Sequence, residues 1–221
     1  MTTQQAQDPD ELFDILNADG SPTGITKRRA DVHRDGDWHR AIHIWVWGVD
    51  RDGPYILMNQ RGRHKDTWPL ALDATVGGHL GAGETVEDAY REVEEEIGVP
   101  VEPERLQYLY TRARESNGHI PGIIDRERQE IFLLRYDRPL TDFRPQVAEL
   151  EGIARIRLDD ALALFTGLVA SAPGEVLRAS DLRVEPITIT PEQLLIRYPD
   201  TYFRDIAREV ARAYEARDSS T

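Results

Sequence analysis

The feature of this chain that most constrains its fold is a glycine-rich loop followed directly by a short acidic helix, in the string GGHLGAGETVEDAYREVEEEIGV at residues 77–99. Four glutamates fall within five residues of that helix. Like charges three or four residues apart on a helix repel one another and cost a few tenths of a kcal/mol per pair. An isolated helix therefore gains nothing from this crowding, whereas a bound cation would make it favourable.

The sequence predicts that this helix runs from residue 86 to residue 97. Thr85 stands three residues before Asp88, as at a capping box, and Gly98 follows the last turn, where glycine commonly ends a helix. At about 100° per residue, one face of the helix is apolar and another is acidic. The apolar stripe contains Val86, Ala89, Tyr90, Val93 and Ile97, and the acidic stripe contains Asp88, Glu92, Glu95 and Glu96.

The acidic stripe predicts a magnesium site, with Mn²⁺ as the alternative ion. Mg²⁺ prefers oxygen ligands and binds one or two carboxylates together with waters and substrate phosphates. Glu92, Glu95 and Glu96 have the spacing i, i+3, i+4 that places their carboxylates together. The loop glycines allow the backbone to approach the same point, so that a carbonyl oxygen can complete the coordination. Glu87 and Glu94 fall on the remaining sector and are expected to be solvated.

The same string resembles the Nudix box, in which a glycine, five residues, a glutamate and seven further residues precede Arg-Glu-apolar-x-Glu-Glu-x-Gly-apolar. Gly78 and Glu84 match the first spacing, and residues 91–99 match the second half. One departure is that six residues, not seven, separate Glu84 from Arg91. The resemblance implies that Glu92, Glu95 and Glu96 bind Mg²⁺ or Mn²⁺, that the Gly77 carbonyl assists, and that Arg91, paired with Glu84, orients the carboxylates.

Residues 11–47, followed by Trp68-Pro69 and by Gly78-His79, resemble the Nudix branch related to type 1 isopentenyl-diphosphate isomerase. This resemblance covers about residues 11–165. In that isomerase a cysteine precedes the Gly-His pair and takes part in moving a proton on the isoprenoid double bond. Gly77 occupies the corresponding position here, so the resemblance favours the hydrolase members of the branch.

The isomerase resemblance also implies a second metal site or a catalytic base. The candidates are two histidines that correspond to metal ligands of the isomerase and acidic residues in a later extended run: His43, His79, Asp125, Glu127 and Glu130. An imidazole can equally serve as a plain hydrogen-bond partner. That structural role is an equal alternative for His33 and His39, and His79 can instead simply shape the loop.

The chemistry expected of such a site is hydrolysis of a diphosphate by activated water, with Glu95 as the general base. A carboxylate in a later loop is the alternative base. Arg61, Arg63 and Lys65 are predicted to bind distal phosphates or a substrate carboxylate, unless they form a solvated charge run. Nucleoside diphosphate derivatives or nucleoside triphosphates are the expected substrates, ahead of isoprenoid or thiamine-type diphosphates. An isomerase and a non-catalytic ligand sensor are the competing hypotheses.

The composition of the chain limits which partners and which cellular location are expected. The 221 residues contain no cysteine and carry a formal net charge of −13. Broad attachment to polymeric nucleic acid depends on many basic contacts, so a small diphosphate compound is the expected partner. No apolar run approaches the roughly 20 residues that span a bilayer, and the amino terminus lacks the pattern of a signal peptide. The sequence therefore predicts a cytoplasmic protein without a membrane segment.

Strand-like and helix-like segments alternate along the chain and predict an α/β Nudix fold, a mixed β-sheet sandwiched between helices. Trp45 and Trp47 share one face of a predicted strand, where core packing competes with a role in the cleft. An apolar stripe in residues 201–216 is predicted to pack on its own domain or in a homodimer. The predicted units are a flexible tail (1–10), an N-terminal β-hairpin (11–35), a Nudix domain (36–165) and a C-terminal extension with helices (166–221).

Overall fold

The computed structural model describes residues 8–65, 67–117, 121–196 and 199–218, and it confirms the α/β prediction with a mixed sheet between helices. The strands are β1 (Leu12–Leu16), β2 (Pro22–Arg28), β3 (Trp38–Asp50), β4 (Gly53–Arg61), β5 (Leu72–Ala74), β6 (Val76–His79), β7 (Leu106–Asn117), β8 (Ile124–Arg135), β9 (Leu150–Arg157), β10 (Ala172–Arg178) and β11 (Val184–Ile189). The α-helices are α1 (Arg29–Asp35), α2 (Ala89–Ile97), α3 (Leu158–Phe165) and α4 (Tyr202–Asp218).

Strand β3 organises the sheet because it pairs with neighbours on both sides. It is antiparallel to β4 and parallel to β8, and β7 pairs with β8. The β1–β2 hairpin agrees with the N-terminal β-hairpin predicted from sequence, and β3 and β4 form a second hairpin. Each turn contains a glycine with positive φ, namely Gly20 at 91° and Gly53 at 108°, a conformation that glycine adopts without steric cost.

The chain from β5 to β6 opens a gap in the sheet. Strand β5 pairs antiparallel with β4, and β6 pairs antiparallel with β3. Since β3 and β4 are themselves antiparallel, the chain must reverse direction between β5 and β6. Thr75 lies at this corner, where its hydroxyl accepts from Val46 N at 2.9 Å and donates to Leu57 O at 2.5 Å. The two arms diverge from Thr75 and form the walls of a cleft.

Two apolar clusters pack on opposite faces of the sheet. One contains Trp45 and Trp47 with residues of α3 and α4, and the other contains Ile44 and Leu57 with residues of α2. Both tryptophans are buried, so the structure supports core packing for them. The apolar stripe of α4 is also buried within this chain, at Tyr202, Phe203, Ile206 and Val210.

Several boundaries differ from the prediction. Helix α2 begins at Ala89, not at residue 86, because residues 86–88 form a turn in which Asp88 N donates to Thr85 O at 3.1 Å. In the C-terminal extension, for which helices were predicted, Pro191–Gln193 forms a single 3₁₀ turn. The C-terminal extension contains the β10–β11 hairpin, which lengthens the sheet beyond β9.

Some predicted segments lie partly outside the described residues, namely residues 1–7 of the tail and residues 197–198 and 219–221 of the C-terminal extension. Among the helices that the structure describes, none has the length and apolar character needed to cross a membrane.

Candidate functional site

A cleft of about 680 Å³ opens between the β5 and β6 arms. The β4–β5 wall contributes Asn59 and Asp73, and the β3–β6 wall contributes His43 and Gly77. Helix α2 adds acidic side chains, and the segment before β9 closes one end. Predicted site residues that line the cleft are Arg61, Lys65, Gly77, His79, Glu95, Glu96 and Glu127, together with His43.

The acidic helix turns its predicted ligand face toward this cleft. Glu95 is exposed and Glu96 is 8% exposed, and both line the cleft. Glu94 is exposed and does not line it, as the assignment of helix faces requires. The side chain of Glu92 lies outside the described part of the structure.

The arginine of the box pairs as the family resemblance implies, despite the missing residue. Arg91 Nη2 lies 3.1 Å from Glu84 Oε1. The other oxygen of Glu84 accepts from the Gly81 amide at 2.7 Å. The shortened helix entry is absorbed by the turn before Ala89, so Glu84 still connects the loop to the helix.

A further carboxylate lines the cleft that the sequence did not single out. Glu149 precedes β9 and forms an ion pair with Lys65, and both side chains are mostly buried. Its segment is fixed to α2, because Gln146 N donates to Glu96 O at 2.8 Å. Glu149 is thus a concrete candidate for the base expected from a later loop.

The predicted basic run does not act as one unit. Arg61 donates to the carbonyl and hydroxyl oxygens of Thr67, at 2.9 Å and 3.0 Å from Nη2, and so holds the loop beside the cleft. Arg63 forms an exposed pair with Glu151, at 2.6 Å from Nε, and does not line the cleft. Of these two arginines, only Arg61 is positioned to meet a ligand.

Four side chains that could hold a metal ion form a group at the cleft, namely His33, His39, His79 and Asp125, and all of them except His39 line the cleft. Their ligand atoms all lie within 4.8 Å of one another. The Nε2 atoms of His33 and His39 and Oδ1 of Asp125 are buried and have no hydrogen-bond partner among the described residues. Phe13 stacks on His39 with ring centroids 5.2 Å apart and shields the group.

The electrostatics of this group favour neutral imidazoles. Burial, together with the neighbouring His39 and Arg29, lowers the pKa of His33 to about 4. Burial likewise lowers the pKa of His79 to about 3. Burial and the neighbouring Glu127 raise the pKa of Asp125 to about 7. Neutral imidazoles beside a carboxylate suit a divalent transition metal, so these side chains fit a second metal centre.

Glu127 borders this group. Burial opposes its ionisation, but the hydrogen bond with His79 and the charge of Arg114 hold its pKa well below the usual value. His79 Nε2 lies 3.1 Å from Glu127 Oε1, and its Nδ1 lies 3.2 Å from Arg29 Nη1. Since a guanidinium only donates, Nδ1 accepts and Nε2–H donates to Glu127.

His43 and Glu130, both proposed from sequence as metal ligands or bases, are not members of this group. His43 Nδ1 is 2.8 Å from the hydroxyl of Tyr202, which also accepts from Trp45 Nε1 at 2.9 Å. Burial lowers the pKa of His43. Glu130 pairs with Arg40 at 2.6 Å and does not line the cleft. The second metal site stays a prediction. The side chains that fit it are His79 and Asp125, which were named from sequence, with His33 and His39, which no local sequence pattern distinguished, in place of His43.

Gly77 faces the ring of His43. A Cβ atom built at Gly77 would lie 3.6 Å from His43 Cδ2, an ordinary contact distance. The glycine is therefore not required by close packing. Its exposed backbone lies in the cleft shared with Glu95 and Glu96, and these hard oxygen donors fit Mg²⁺ or Mn²⁺.

Two features define a Nudix-type α/β protein. The mixed sheet divides at Thr75, and the glycine-rich loop leads into the acidic helix α2 beside the cleft. Comparison with known proteins agrees: a family model described as NUDIX domain matches residues 37–177. The chain belongs to the Nudix family.

Relatives include hydrolases and isomerases. Nudix hydrolase 3 of Arabidopsis thaliana is 32% identical over 154 residues, covering 68% of this chain but 20% of that protein. An uncharacterized Nudix hydrolase of Clostridium acetobutylicum is 33% identical over 158 residues, covering 71% of this chain and 74% of that protein. Isopentenyl-diphosphate Delta-isomerase of Escherichia coli is 31% identical over 122 residues, covering 55% and 64%.

The fold also matches a solved structure. A crystal structure of a protein from Deinococcus radiodurans superposes with a TM-score of 0.50 at 21% identity, covering 71% of this chain and 90% of that one. At this identity the match shows the fold alone.

Proposed function

We propose that this protein is a metal-dependent pyrophosphohydrolase that cleaves a diphosphate linkage in a nucleoside diphosphate derivative or a nucleoside triphosphate. The supporting observation is that Glu95 and Glu96 of the box helix line one cleft together with Gly77 and Glu149. A Mg²⁺ or Mn²⁺ ion bound there would neutralise the diphosphate and lower the pKa of a coordinated water. A non-catalytic sensor has no need of such an arrangement.

The side chains of this chain then have distinct roles. Glu92, Glu95, Glu96 and the Gly77 carbonyl would hold the ion, and Glu95 would remove the proton from the attacking water. The pair of Glu84 and Arg91 fixes the loop to the helix and so orients these carboxylates.

The neighbouring groups also have roles under this proposal. Glu149, held by Lys65, is the competing general base. Arg61 meets a distal phosphate. The group at His33, His39, His79 and Asp125 supplies a second divalent-metal centre, with Glu127 orienting His79 through its hydrogen bond.

The isomerase alternative is favoured by the same histidine group and by the similarity to the Escherichia coli isomerase. It is opposed by Gly77, because glycine has no side chain that can carry a proton. Cleaving a diphosphate by activated water requires a metal and a base and needs no acid at this position.

The purified full chain should therefore be screened against a panel of diphosphate compounds with Mg²⁺ or Mn²⁺, scoring phosphate and pyrophosphate release. We expect cleavage of at least one compound and its loss on adding a chelator. Isopentenyl diphosphate incubated in deuterated solvent should keep its double bond in place. Bond migration would support the isomerase, and inertness toward the panel despite metal binding would support a sensor.

A further inference from the structure

Two buried polar side chains on the β4–β5 wall of the cleft each have one oxygen without a hydrogen-bond partner within the residues that the structure describes. Asn59 and Asp73 are paired residues of the antiparallel strands β4 and β5, so their side chains emerge side by side. They are 5% and 8% exposed, and both line the cleft. Neither Asn59 Oδ1 nor Asp73 Oδ1 has a hydrogen-bond partner in the described part of the chain. Since a buried acceptor without a donor is costly, the two oxygens are suited to donors from a ligand.

The basic residues of the same wall are already engaged. Lys65 pairs with Glu149, and Arg61 donates to Thr67. Neither Lys65 nor Arg61 forms a hydrogen bond or an ion pair with Asp73.

We propose that Asn59 and Asp73 bind the vicinal 2′- and 3′-hydroxyls of a ribose in a nucleoside diphosphate compound. Opposed residues of an antiparallel pair lie about 4.5–5.5 Å apart at Cα, so each oxygen can accept from one of two adjacent hydroxyls. The carboxylate makes the stronger bond of the two, because hydrogen bonds to an ionised acceptor are roughly twice as strong as neutral ones.

The position of the pair in the cleft agrees with such a ligand. Glu95 and Glu96 line the same cleft, and a diphosphate held at α2 would carry its attached sugar toward this wall. This inference rests on the proposed function, since it assumes that a diphosphate lies at the box helix. It adds the substrate class, a ribonucleoside rather than a deoxyribonucleoside or an isoprenoid.

The test is calorimetric titration of the full chain, in the presence of Mg²⁺, with three α,β-methylene analogues. They are the analogues of adenosine diphosphate (ADP), of 2′-deoxy-ADP and of inosine diphosphate (IDP), which lacks the amine of the adenine base. Their phosphorus–carbon bond blocks cleavage, so binding is measured independently of turnover. The variants are Asp73→Asn, which replaces an acceptor oxygen with a donor at the same volume, and Asp142→Asn as the matched control. Asp142 is exposed and lies outside the cleft.

We expect the wild-type chain to bind the ADP analogue about 10-fold or more tightly than the 2′-deoxy analogue, the scale of one lost hydrogen bond to a charged group. The ADP and IDP analogues should bind alike. Asp73→Asn should remove the discrimination by the 2′-hydroxyl, and Asp142→Asn should retain it.

Equal affinity of the wild-type chain for the ADP and 2′-deoxy analogues would overturn the proposal, as would failure of all three to bind. A difference in affinity between the ADP and IDP analogues, with none between the ADP and 2′-deoxy-ADP analogues, would overturn it as well, because the site would then recognise the amine of the base and not the ribose. The wild-type comparison decides these points even if Asp73→Asn does not fold. If the ribose preference is found but no substrate is cleaved in the Mg²⁺ panel, the subsite stands and the hydrolase proposal fails.

Discussion

Glu94 and Glu95 are neighbours on α2, but only Glu95 is expected to take part in catalysis. Replacing Glu95 with Gln keeps the shape of the side chain but removes a metal ligand and the proposed base. Turnover should fall by about 10²-fold or more, the range for a lost catalytic group. Melting temperature without metal should stay level or rise, because one of several repelling charges is gone.

Glu94→Gln is the matched control for this experiment, since Glu94 is exposed and lies outside the cleft. Steady-state kinetics on the cleaved substrate should show activity close to wild type. If Glu94→Gln were as damaging as Glu95→Gln, the assignment of helix faces would be wrong.

The sequence predicted that Glu95 and Glu96 of α2 lie on one face, and both line the cleft, but it did not predict the histidine group. The face that contains Glu95 and Glu96 follows from helical periodicity over a few adjacent residues. His33, His39, His79 and Asp125 come from four separate elements or loops and meet only because β3 pairs with both β6 and β8. No local spacing records that meeting, so His43 was an equally reasonable choice from the sequence.

At the scale of elements, strands with turn signals were predicted and the β10–β11 hairpin was missed. The β3–β4 turn carries Asp52-Gly53 between apolar runs, which is a strong hairpin signal. The missed hairpin contains Pro173 and Pro186, and proline within a run argues against a strand. Here β11 is the edge strand of the sheet, a position where proline is tolerated.

Helix α4 is held to the sheet by a polar contact as well as by its apolar stripe. Tyr202→Phe should destabilise the protein, because the indole N–H of Trp45 loses its acceptor inside the core. A buried donor left without a partner costs roughly 1–3 kcal/mol, and the bond between Tyr202 and His43 is lost in addition. Urea denaturation monitored by tryptophan fluorescence would measure this loss.

Tyr214→Phe provides the control on the same helix. Tyr214 is partly buried against the same cluster, and its substitution should change the free energy of unfolding by no more than about 0.5 kcal/mol. Equal effects of the two substitutions would show that the hydroxyl of Tyr202 contributes nothing beyond packing.

At the scale of the whole molecule, the histidine group makes stability depend on pH. The pKa of His33 is about 4 in the folded chain against 6.5 ordinarily, and that of His79 is about 3. Between pH 4 and 6.5 the unfolded chain binds more protons at these residues, so acidification favours unfolding. Asp125, with a pKa of about 7 against 3.8 ordinarily, acts in the opposite direction over this range.

Two histidines outweigh one carboxyl, so we expect the free energy of unfolding to fall between pH 6.5 and pH 4.5 when metal is chelated. Urea titrations at the two pH values would measure this fall. His33→Gln should show a smaller fall than the wild-type chain. A variant with an unchanged or larger fall would contradict the neutral state of His33.

The homodimer expected as one alternative stays a prediction, but it no longer has the α4 stripe as its interface. Those side chains are buried against the sheet and α3. Removing the chain after residue 190 would therefore expose the apolar core of the domain, and its effect would not be limited to a dimer interface. Oligomeric state is better examined on the intact chain.

The corner at Thr75 has a consequence for how this protein can diversify. One hydroxyl joins the backbones of β3 and β4 at the point where their pairing gives way to the two arms. The point at which the two arms separate is therefore fixed by the hydrogen bonds of Thr75 to the two main chains, and not by the size of the side chains that line the cleft. Loops and side chains along the rim can therefore change, and with them the substrate specificity, while the two arms still diverge from the same point.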